Sequence, residues 1–265
     1  MRVNNKTKLY VSISKNPGNT GARLHNNFFK HIKKNKLYLP LKIENLKNFI
    51  KFAKDTNIQG ISISAPFKKA ILKYLDKKDK VVKELLNCNT ILNKNNKLYG
   101  YNTDYHAIYK TLKATKKGSV LILGSGAVAQ TTLLALKKLK FKNIYLSSRK
   151  KRKHKMSNYS FLKWKDKDHH KIDILINATT LGMNIKKKEI INFDKVNLKS
   201  IKLIIDWPIP KSNSLTFLSK LAKENKIKYI SGKKLAFLQG IKQCEIYNKI
   251  KLSKFDISRL KFIKI

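Results

Sequence analysis

The sequence predicts an α/β fold built as two domains. Its first part alternates between short β-rich stretches and helical patterns, at 9–14, 21–33, 37–43, 46–54 and 58–64. A second alternating series starts at Ser119. Such alternation is typical of a mostly parallel sheet with helical crossovers. The 265 residues are enough for two domains of about 100 to 150 residues each.

Turn residues separate the elements of the first series. A turn at 16–18 follows the first strand, and Pro66 ends the third strand. Between 90 and 101, Asn95 and Asn96 separate two β-prone stretches, which predicts a hairpin. We expect the next helix to begin near Asn102.

The second series predicts a further sheet. We expect strands at 120–123, 143–147, 172–177, 201–205 and 228–230, and helices at 128–138, 213–224 and 233–250. We place the domain boundary in the helix after Asn102 and expect the last long helix to return to the first domain. The predicted domains are therefore 1–104 with 232–265, and 105–231. The tail at 253–265 has no predicted role, and an amphipathic membrane contact is one alternative.

The chain is strongly basic, with 60 Lys and Arg residues against 15 Asp and Glu residues and a formal net charge of +45. Taken alone, this charge points to nucleic acid or another polyanion. The excess is mostly Lys, spread along the whole chain together with Asn and Ile, which are the residues that A/T-rich codons encode. We therefore interpret the charge as compositional drift and expect no specific nucleic-acid partner.

Several classes of protein are disfavoured by what the sequence lacks. No apolar run approaches the roughly 18 residues of a membrane helix, and the polar first residues lack the apolar core of a secretory signal, so we expect a cytoplasmic protein. Cys88 and Cys244 have no CxxC partner and are expected to be small buried residues. His169 and His170 have no third ligand at a suitable spacing, so no metal site is expected.

A glycine-rich turn follows the strand at 120–123. The run Gly124-Ser125-Gly126-Ala127-Val128-Ala129 has the pattern GxGxxA and opens a helix. Gly124 permits a tight turn, Gly126 lets a pyrophosphate approach the backbone, and Ala129 permits close packing of the helix on the sheet. Free N–H groups at the helix start would also favour phosphate. The run predicts a dinucleotide site, with an ordinary strand-to-helix turn as the alternative.

The residues after the next strand indicate which dinucleotide binds. Ser148-Arg149-Lys150 ends that strand, and Arg149 lies 23 residues after Gly126. An acidic residue near this position contacts a free ribose hydroxyl, whereas Arg accommodates a ribose phosphate. Because the segment has no acidic residue, the sequence favours NADP over NAD. A solvated basic loop is the alternative.

Two polar segments of the first domain complete a set of motifs that resembles the shikimate dehydrogenase family. They are Ser64-Ala65-Pro66-Phe67-Lys68 after a strand and Asn102-Thr103-Asp104 at a helix start. The other matching pieces, in order, are Asn89-Thr90-Ile91, the glycine-rich turn, Asn177-Ala178-Thr179 before Gly182-Met183, and Gly232 with Gln239. Gly18-Asn19-Thr20-Gly21 and Leu24-His25-Asn26 look more like the divergent shikimate dehydrogenase-like branch.

The resemblance implies an N-terminal α/β substrate domain and a Rossmann-type NADP-binding domain. It also implies the NADPH-dependent reduction of 3-dehydroshikimate to shikimate, in chorismate and aromatic amino acid biosynthesis, by a monomer or homodimer. Lys68 and Asp104 match the catalytic pair. An ammonium beside a carboxylate suits this reaction, because hydride transfer to a ketone builds negative charge on oxygen that a cationic proton donor can stabilise and neutralise.

The resemblance also assigns binding residues. Ser64, Asn89 and Gln239 match substrate contacts, although Asn89 and Gln239 also fit structural roles. Two serines that hold the substrate carboxylate in the main branch are replaced by Asn19 and Gly21, and we expect Asn19 to contact the substrate.

Further residues match by position in the second domain and the first helix. Trp207 is expected near the nicotinamide or in the core, and Gly232 in the cofactor site. His25 is expected to be a structural cap.

Two alternative functions stay open at this point. One is a dehydrogenase for quinate or another cyclic hydroxy acid. The other is a basic relative that has lost catalysis and binds RNA or anionic membranes.

Overall fold

Two six-stranded sheets organise the chain in the computed structural model, which describes residues 3–149, 159–166, 171–183, 198–210 and 215–261. The chain divides into two compact units, Met1–His106 with Phe237–Ile265, and Ala107–Ala236. This architecture confirms the α/β fold with a C-terminal helical segment that returns to the first unit. The pair His169-His170 lies outside the described residues.

The strands are β1 (Lys8–Ser14), β2 (Lys36–Lys42), β3 (Gly60–Ile63), β4 (Lys77–Lys78), β5 (Thr90–Lys94), β6 (Lys97–Tyr101), β7 (Val120–Leu123), β8 (Ile144–Ser148), β9 (Ser160–Lys163), β10 (Ile174–Asn177), β11 (Leu203–Asp206) and β12 (Lys228–Ser231). The α-helices are α1 (Thr20–His31), α2 (Leu46–Asp55), α3 (Phe67–Ala70), α4 (Lys80–Leu85), α5 (Thr103–Lys113), α6 (Ala127–Lys138), α7 (Phe217–Glu224), α8 (Gly232–Asn248) and α9 (Lys254–Lys261).

The sheet of the first unit has the order β2-β1-β3-β5-β6-β4. β1 is parallel to β2 and β3, whereas β5 is antiparallel to both β3 and β6. The sheet is thus mixed rather than mostly parallel, because β5 and β6 form the predicted hairpin. Asn95 and Asn96 at its tip both have positive φ, 51° and 59°, as a two-residue type I′ turn requires.

Alternating side chains of β1 serve two hydrophobic cores. Val11 and Ile13 belong to the core that contains Phe49 of α2, whereas Tyr10 belongs to the core that contains Phe28 of α1. This is the two-residue period of a strand with both faces covered. Cys88 and Cys244 are free and buried, one in each core, which confirms the expectation for both.

The C-terminal tail contributes to the core of the first unit. Ser253 and Asp256 cap α9, since Ser253 Oγ donates to Asp256 Oδ2 at 2.6 Å and the backbone N–H of Asp256 donates to Ser253 Oγ at 3.1 Å. Asp256 Oδ1 also lies 3.1 Å from His31 Nε2 of α1, and Leu260 is buried. Within the described part of the chain, no helix is long and apolar enough to cross a membrane.

The sheet of the second unit is parallel throughout its described pairings, with the order β12-β11-β10-β7-β8-β9. β7, β10 and β11 are buried along their whole length, which is why their sequences are apolar rather than alternating. The α6 helix is correspondingly apolar, with seven buried residues between Ala129 and Leu136.

Candidate functional site

Polar side chains of the first unit gather at one edge of its sheet. The parallel strands β1 and β3 end at the same edge, where Ser64 N–H donates to Ile13 O at 3.1 Å. Asn89 precedes the antiparallel β5 and accepts from Ile63 N–H at 2.8 Å through its backbone oxygen. Asn89 N–H in turn donates to Tyr101 O at 3.2 Å, at the end of β6. The loop after β3, the start of β5 and the start of α5 therefore meet at this edge.

Lys68 and Asp104 form an ion pair there. Lys68 Nζ lies 2.5 Å from Asp104 Oδ2, although the two residues are 36 positions apart. The Lys68 side chain is 21% exposed and the Asp104 side chain 8%. The pair is thus largely shielded from solvent, while part of the Lys68 side chain stays accessible.

The start of α5 holds Asp104 in place. Asn102 Oδ1 accepts from the backbone N–H of Tyr105 at 3.0 Å, which is the side-chain cap of a helix N-terminus. Asp104 lies in the first turn of the helix, where the helix dipole favours a carboxylate. On the other side, Lys68 is fixed through its backbone oxygen, which accepts from Cys88 N–H at 2.9 Å.

The buried Asn89 side chain is bonded on both sides. Its Oδ1 accepts from the Thr103 backbone N–H at 2.7 Å and from Thr90 Oγ1 at 2.9 Å. Its Nδ2 donates to Thr103 Oγ1 at 3.0 Å and to Gln239 Oε1 at 3.2 Å. The structure therefore brings Asn89 and Gln239, which are predicted to contact the substrate, into direct contact with each other.

Ser64 and Asn19 are the more exposed members of the predicted substrate set. Ser64 is held by its backbone, whose oxygen accepts from Phe67 N–H at 3.0 Å. Asn19 precedes α1 at the N-cap position, but its side chain does not cap the helix. Among the described residues, no hydrogen bond joins either side chain to Lys68 or Asp104.

His25 is not the cap that its position in the sequence suggests. It lies inside α1 and is fully buried, and burial lowers its pKa to about 4. Its Nε2 lies 3.2 Å from Gln243 Oε1 of α8. Sequence reasoning did not identify Gln243, although its spacing of four residues from Gln239 places both on one helix face.

The glycine-rich turn of the second unit has the geometry that its sequence predicts. Gly124 has φ +101°, and a Cβ there would lie 3.0 Å from Ala178 O, so this position requires glycine. Gly126 has an ordinary φ of −80°, and a Cβ there would meet nothing within 4 Å. The first glycine is thus needed by the fold, whereas the second leaves open space beside the backbone.

The start of α6 is suited to a phosphate group. Gly126 is its N-cap and has no side chain to bond the first N–H groups of the helix, which begins at Ala127. Those groups and the helix dipole favour an anion. Ala129 is fully buried, as expected for close packing of the helix on the sheet. The open space at Gly126 and this uncapped helix start fit a dinucleotide pyrophosphate.

Arg149 directly follows β8, which pairs with β7 so that Ser147 lies opposite Leu123. The end of β8 therefore adjoins the strand that leads into the glycine-rich turn. Ser148 is buried and Arg149 is exposed. Lys150 lies outside the described residues.

Trp207 and Gly232 are in contact within the second unit. A Cβ on Gly232 would lie 2.3 Å from Trp207 O, so close packing accounts for this glycine without a ligand. Trp207 is partly buried, and its Nε1 is buried without a hydrogen-bond partner in the described part of the chain.

A buried network that the sequence did not reveal supports the loops after β10 and β11. Asp206 accepts from Asn177 Nδ2 at 2.8 Å, from Thr216 Oγ1 at 2.6 Å and from the Tyr229 hydroxyl at 2.9 Å. Burial raises the pKa of Asp206, and the three donors offset part of that cost. The network ties four separate segments of the second unit together.

The chain is similar to known proteins, and the family match lies in the first unit. Residues 18–91 match the family described as shikimate dehydrogenase substrate binding domain. The shikimate dehydrogenase (NADP(+)) of Clostridium perfringens is 32% identical over 259 residues, which cover 93% of this chain and 94% of that protein. The shikimate dehydrogenase-like protein of Haemophilus influenzae is 28% identical over 254 residues, with 92% of each chain covered.

A solved structure agrees with these matches. A shikimate dehydrogenase in complex with NADP+ superposes with a TM-score of 0.82 at 25% identity, and the alignment covers 100% of this chain and 98% of that one. The likeness therefore extends over both units.

Proposed function

The chain belongs to the shikimate dehydrogenase family, and from that premise we propose that it reduces 3-dehydroshikimate to shikimate with NADPH. It is an NADP-dependent oxidoreductase, as its curated relatives are. The main support for reduction of 3-dehydroshikimate in particular is the contact of 2.5 Å between Lys68 Nζ and Asp104 Oδ2.

In this proposal, Lys68 and Asp104 provide the proton that the reduction consumes. When bound in the second unit, NADPH would supply the hydride that reduces the carbonyl carbon of the substrate. Lys68 places an ammonium beside the carbonyl oxygen, where it stabilises the developing negative charge. The Lys68–Asp104 pair supplies the proton that turns this oxygen into a hydroxyl. Because the pair is largely shielded, water weakens its electrostatic effect less than it would at the surface.

The remaining residues of the edge bind the substrate in this proposal. Ser64, Asn89 and Gln239 offer hydroxyl and amide groups to a polyhydroxylated acid, since each can both donate and accept hydrogen bonds. Asn19 faces the carboxylate in place of a family serine. The Asn19 amide N–H is a neutral hydrogen-bond donor, as a serine hydroxyl is. In this proposal it therefore binds the substrate carboxylate without adding a charge to the site.

The second unit binds NADP in this proposal. The run from Gly124 through Ser125, Gly126 and Ala127 to Val128 holds the pyrophosphate against the start of α6. Ser148, Arg149 and Lys150 hold the ribose phosphate, for which the planar guanidinium of arginine is a suitable partner. Trp207 and Gly232 lie near the nicotinamide. We place the enzyme in the cytoplasm.

Replacement of Lys68 tests the assigned chemistry. We expect Lys68→Ala to remove most of the shikimate oxidation by NADP, while fluorescence titration shows unchanged NADPH binding. Lys69→Ala is the matched control, since it removes an exposed lysine from the next position of α3. Full activity in Lys68→Ala, or an equal loss in Lys69→Ala, would contradict the role of Lys68.

A further inference from the structure

A buried imidazole begins a series of hydrogen bonds that leads to the substrate-binding edge. The His25 ring stacks on Tyr38, with 4.4 Å between ring centroids, and lies 5.4 Å from Tyr247. Its Nδ1 is 3.3 Å from Cys244 Sγ, and its Nε2 is 3.2 Å from Gln243 Oε1. The titratable groups that face His25 are thus a thiol and two phenols.

The environment fixes which nitrogen of His25 carries the proton. Burial holds the pKa of His25 near 4, so the ring is neutral at physiological pH and has one N–H. Burial also raises the pKa of the Cys244 thiol, which therefore keeps its hydrogen and can donate it to Nδ1. The N–H of His25 then lies on Nε2 and donates to Gln243 Oε1.

The same donor-to-acceptor direction continues along the hydrogen bonds from Gln243 to Asn89. Because Gln243 Oε1 accepts from His25, its Nε2 is the group that donates to Thr90 Oγ1, at 3.0 Å. Thr90 has a single hydroxyl hydrogen, and it donates that hydrogen to Asn89 Oδ1 at 2.9 Å. Asn89 Nδ2 then donates to Gln239 Oε1 at 3.2 Å. Every member from His25 onward donates to the next.

The hydrogen bond from Asn89 also defines the orientation of the Gln239 amide, the last member of the series. Since Gln239 Oε1 accepts from Asn89, Gln239 presents the two hydrogens of its Nε2 to a ligand. A reversed Gln243 amide would draw the Thr90 hydroxyl toward itself and remove one donor from Asn89. Asn89 Oδ1 would then lose the Thr90 hydroxyl and keep the Thr103 backbone N–H, which donates to it at 2.7 Å.

We propose that His25 and Gln243 are positioning residues that reinforce, through the hydroxyl of Thr90, the orientation that the Thr103 backbone N–H gives to Asn89, and with it the orientation in which Gln239 meets the substrate. This inference rests on the proposed function, since it concerns the binding of the same cyclic hydroxy acid. Neither residue touches the substrate, so their effect is expected in substrate binding rather than in cofactor binding. Gln239 is thereby a hydrogen-bond donor, which selects a substrate with an acceptor oxygen at that position.

Steady-state kinetics of two Gln243 variants test the proposal. Gln243→Met removes both hydrogen bonds at similar volume. Gln243→Glu introduces a carboxyl that, once ionised, can only accept, so it reverses the Thr90 hydroxyl; when protonated, it can donate to Thr90 again. Asn93→Leu is the control, because Asn93 is buried in the same unit and donates to Ile58 O at 3.0 Å, outside the series.

The expected pattern separates positioning from general destabilisation. We expect Gln243→Met to raise the KM for shikimate about three- to tenfold, the effect of one neutral hydrogen bond, with an unchanged KM for NADP. For Gln243→Glu, the KM for shikimate should rise with pH relative to wild type. Asn93→Leu should lower the melting temperature and leave both KM values unchanged. An unchanged KM for shikimate in folded Gln243→Met, or an equal rise in the control, would overturn the proposal.

A second measurement does not depend on the substrate. In wild-type protein labelled with ¹⁵N-histidine, the nitrogen chemical shifts of His25 should report a neutral ring protonated on Nε2. A ring protonated on Nδ1 would overturn the proposal even if shikimate is turned over. Conversely, wild type that does not oxidise shikimate would refute the proposed function, while the His25 shifts would still decide the polarity of the series.

Discussion

Lys68 illustrates how far single residues can be assigned from sequence. It is one of many lysines, and only its place in Ser64-Ala65-Pro66-Phe67-Lys68 and a matching Asp104 distinguished it. The contact itself joins two distant segments, which local patterns do not encode. His25 and Gln243 escaped correct assignment for the same reason, since their roles depend on burial and on partners from α1, α8 and β5.

The selectivity for NADP can be tested at Arg149. We expect Arg149→Ala to raise the KM for NADP about tenfold or more, because a charge-assisted hydrogen bond to phosphate is lost. The KM for NAD should change little, since NAD lacks that phosphate. Lys142→Ala is the control, as it removes an exposed positive charge that precedes β8 instead of following it. Equal losses with NADP and NAD would contradict the assignment.

The buried His25 predicts a pH dependence of stability. Its pKa is about 4 in the folded protein and about 6.5 when exposed, so below pH 6.5 the unfolded chain binds a proton that the folded chain excludes. The contribution of His25 is therefore complete above about pH 6.5 and is lost as the pH falls toward 4, by up to about 1.4 kcal/mol per pH unit. Urea unfolding between these limits should give a shallower profile for His25→Gln than for wild type. Parallel profiles would contradict the lowered pKa of His25 in the folded protein.

At the scale of elements, the two glycines of the turn predict opposite phenotypes. Gly124→Ala forces an unfavourable φ and approaches Ala178 O, so it should destabilise the fold by about 1–2 kcal/mol. Gly126→Val has room in the protein but is a poorer N-cap for α6 than glycine, so its melting temperature should fall only slightly while its affinity for NADP falls strongly. Differential scanning fluorimetry with and without NADP measures both effects. Unchanged NADP binding by Gly126→Val would contradict the assignment of the pyrophosphate to this turn.

The elements with strong local patterns were predicted well, and weakly patterned ones were missed. The apolar runs of β7, β10 and β11 and the paired asparagines of the hairpin are local signals. β4 consists of two exposed lysines, and β9 has no buried residue, so neither shows a hydrophobic period. The short α4 was also missed, although Asp79 caps it by accepting from Val82 N–H at 2.7 Å.

At the scale of the whole molecule, the return of the C-terminal helix to the first unit was expected, although no local sequence signal marks it. The two units join within α5 and within α8, and a helical pattern continues through such a junction without a signal. The packing of α9 against α1 was likewise not predicted, because the alternating basic and apolar tail also fits a surface helix. Leu260 and the Asp256–His31 contact show its place in the core.

The charge of +45 bears on the alternative that the chain has lost catalysis and binds RNA. Nonspecific attraction to RNA follows from charge alone and weakens steeply as salt rises. Only sequence preference or tight binding at physiological salt would therefore favour a nucleic-acid role.

The most direct test of the account is a steady-state assay of the purified wild-type protein with shikimate and quinate, each against NADP and NAD. We predict that shikimate with NADP gives the highest kcat/KM of the four combinations. A preference for quinate would move the assignment to another cyclic hydroxy acid within the same family. The absence of turnover with all four pairs would contradict the central claim that the Lys68–Asp104 pair serves a shikimate dehydrogenase.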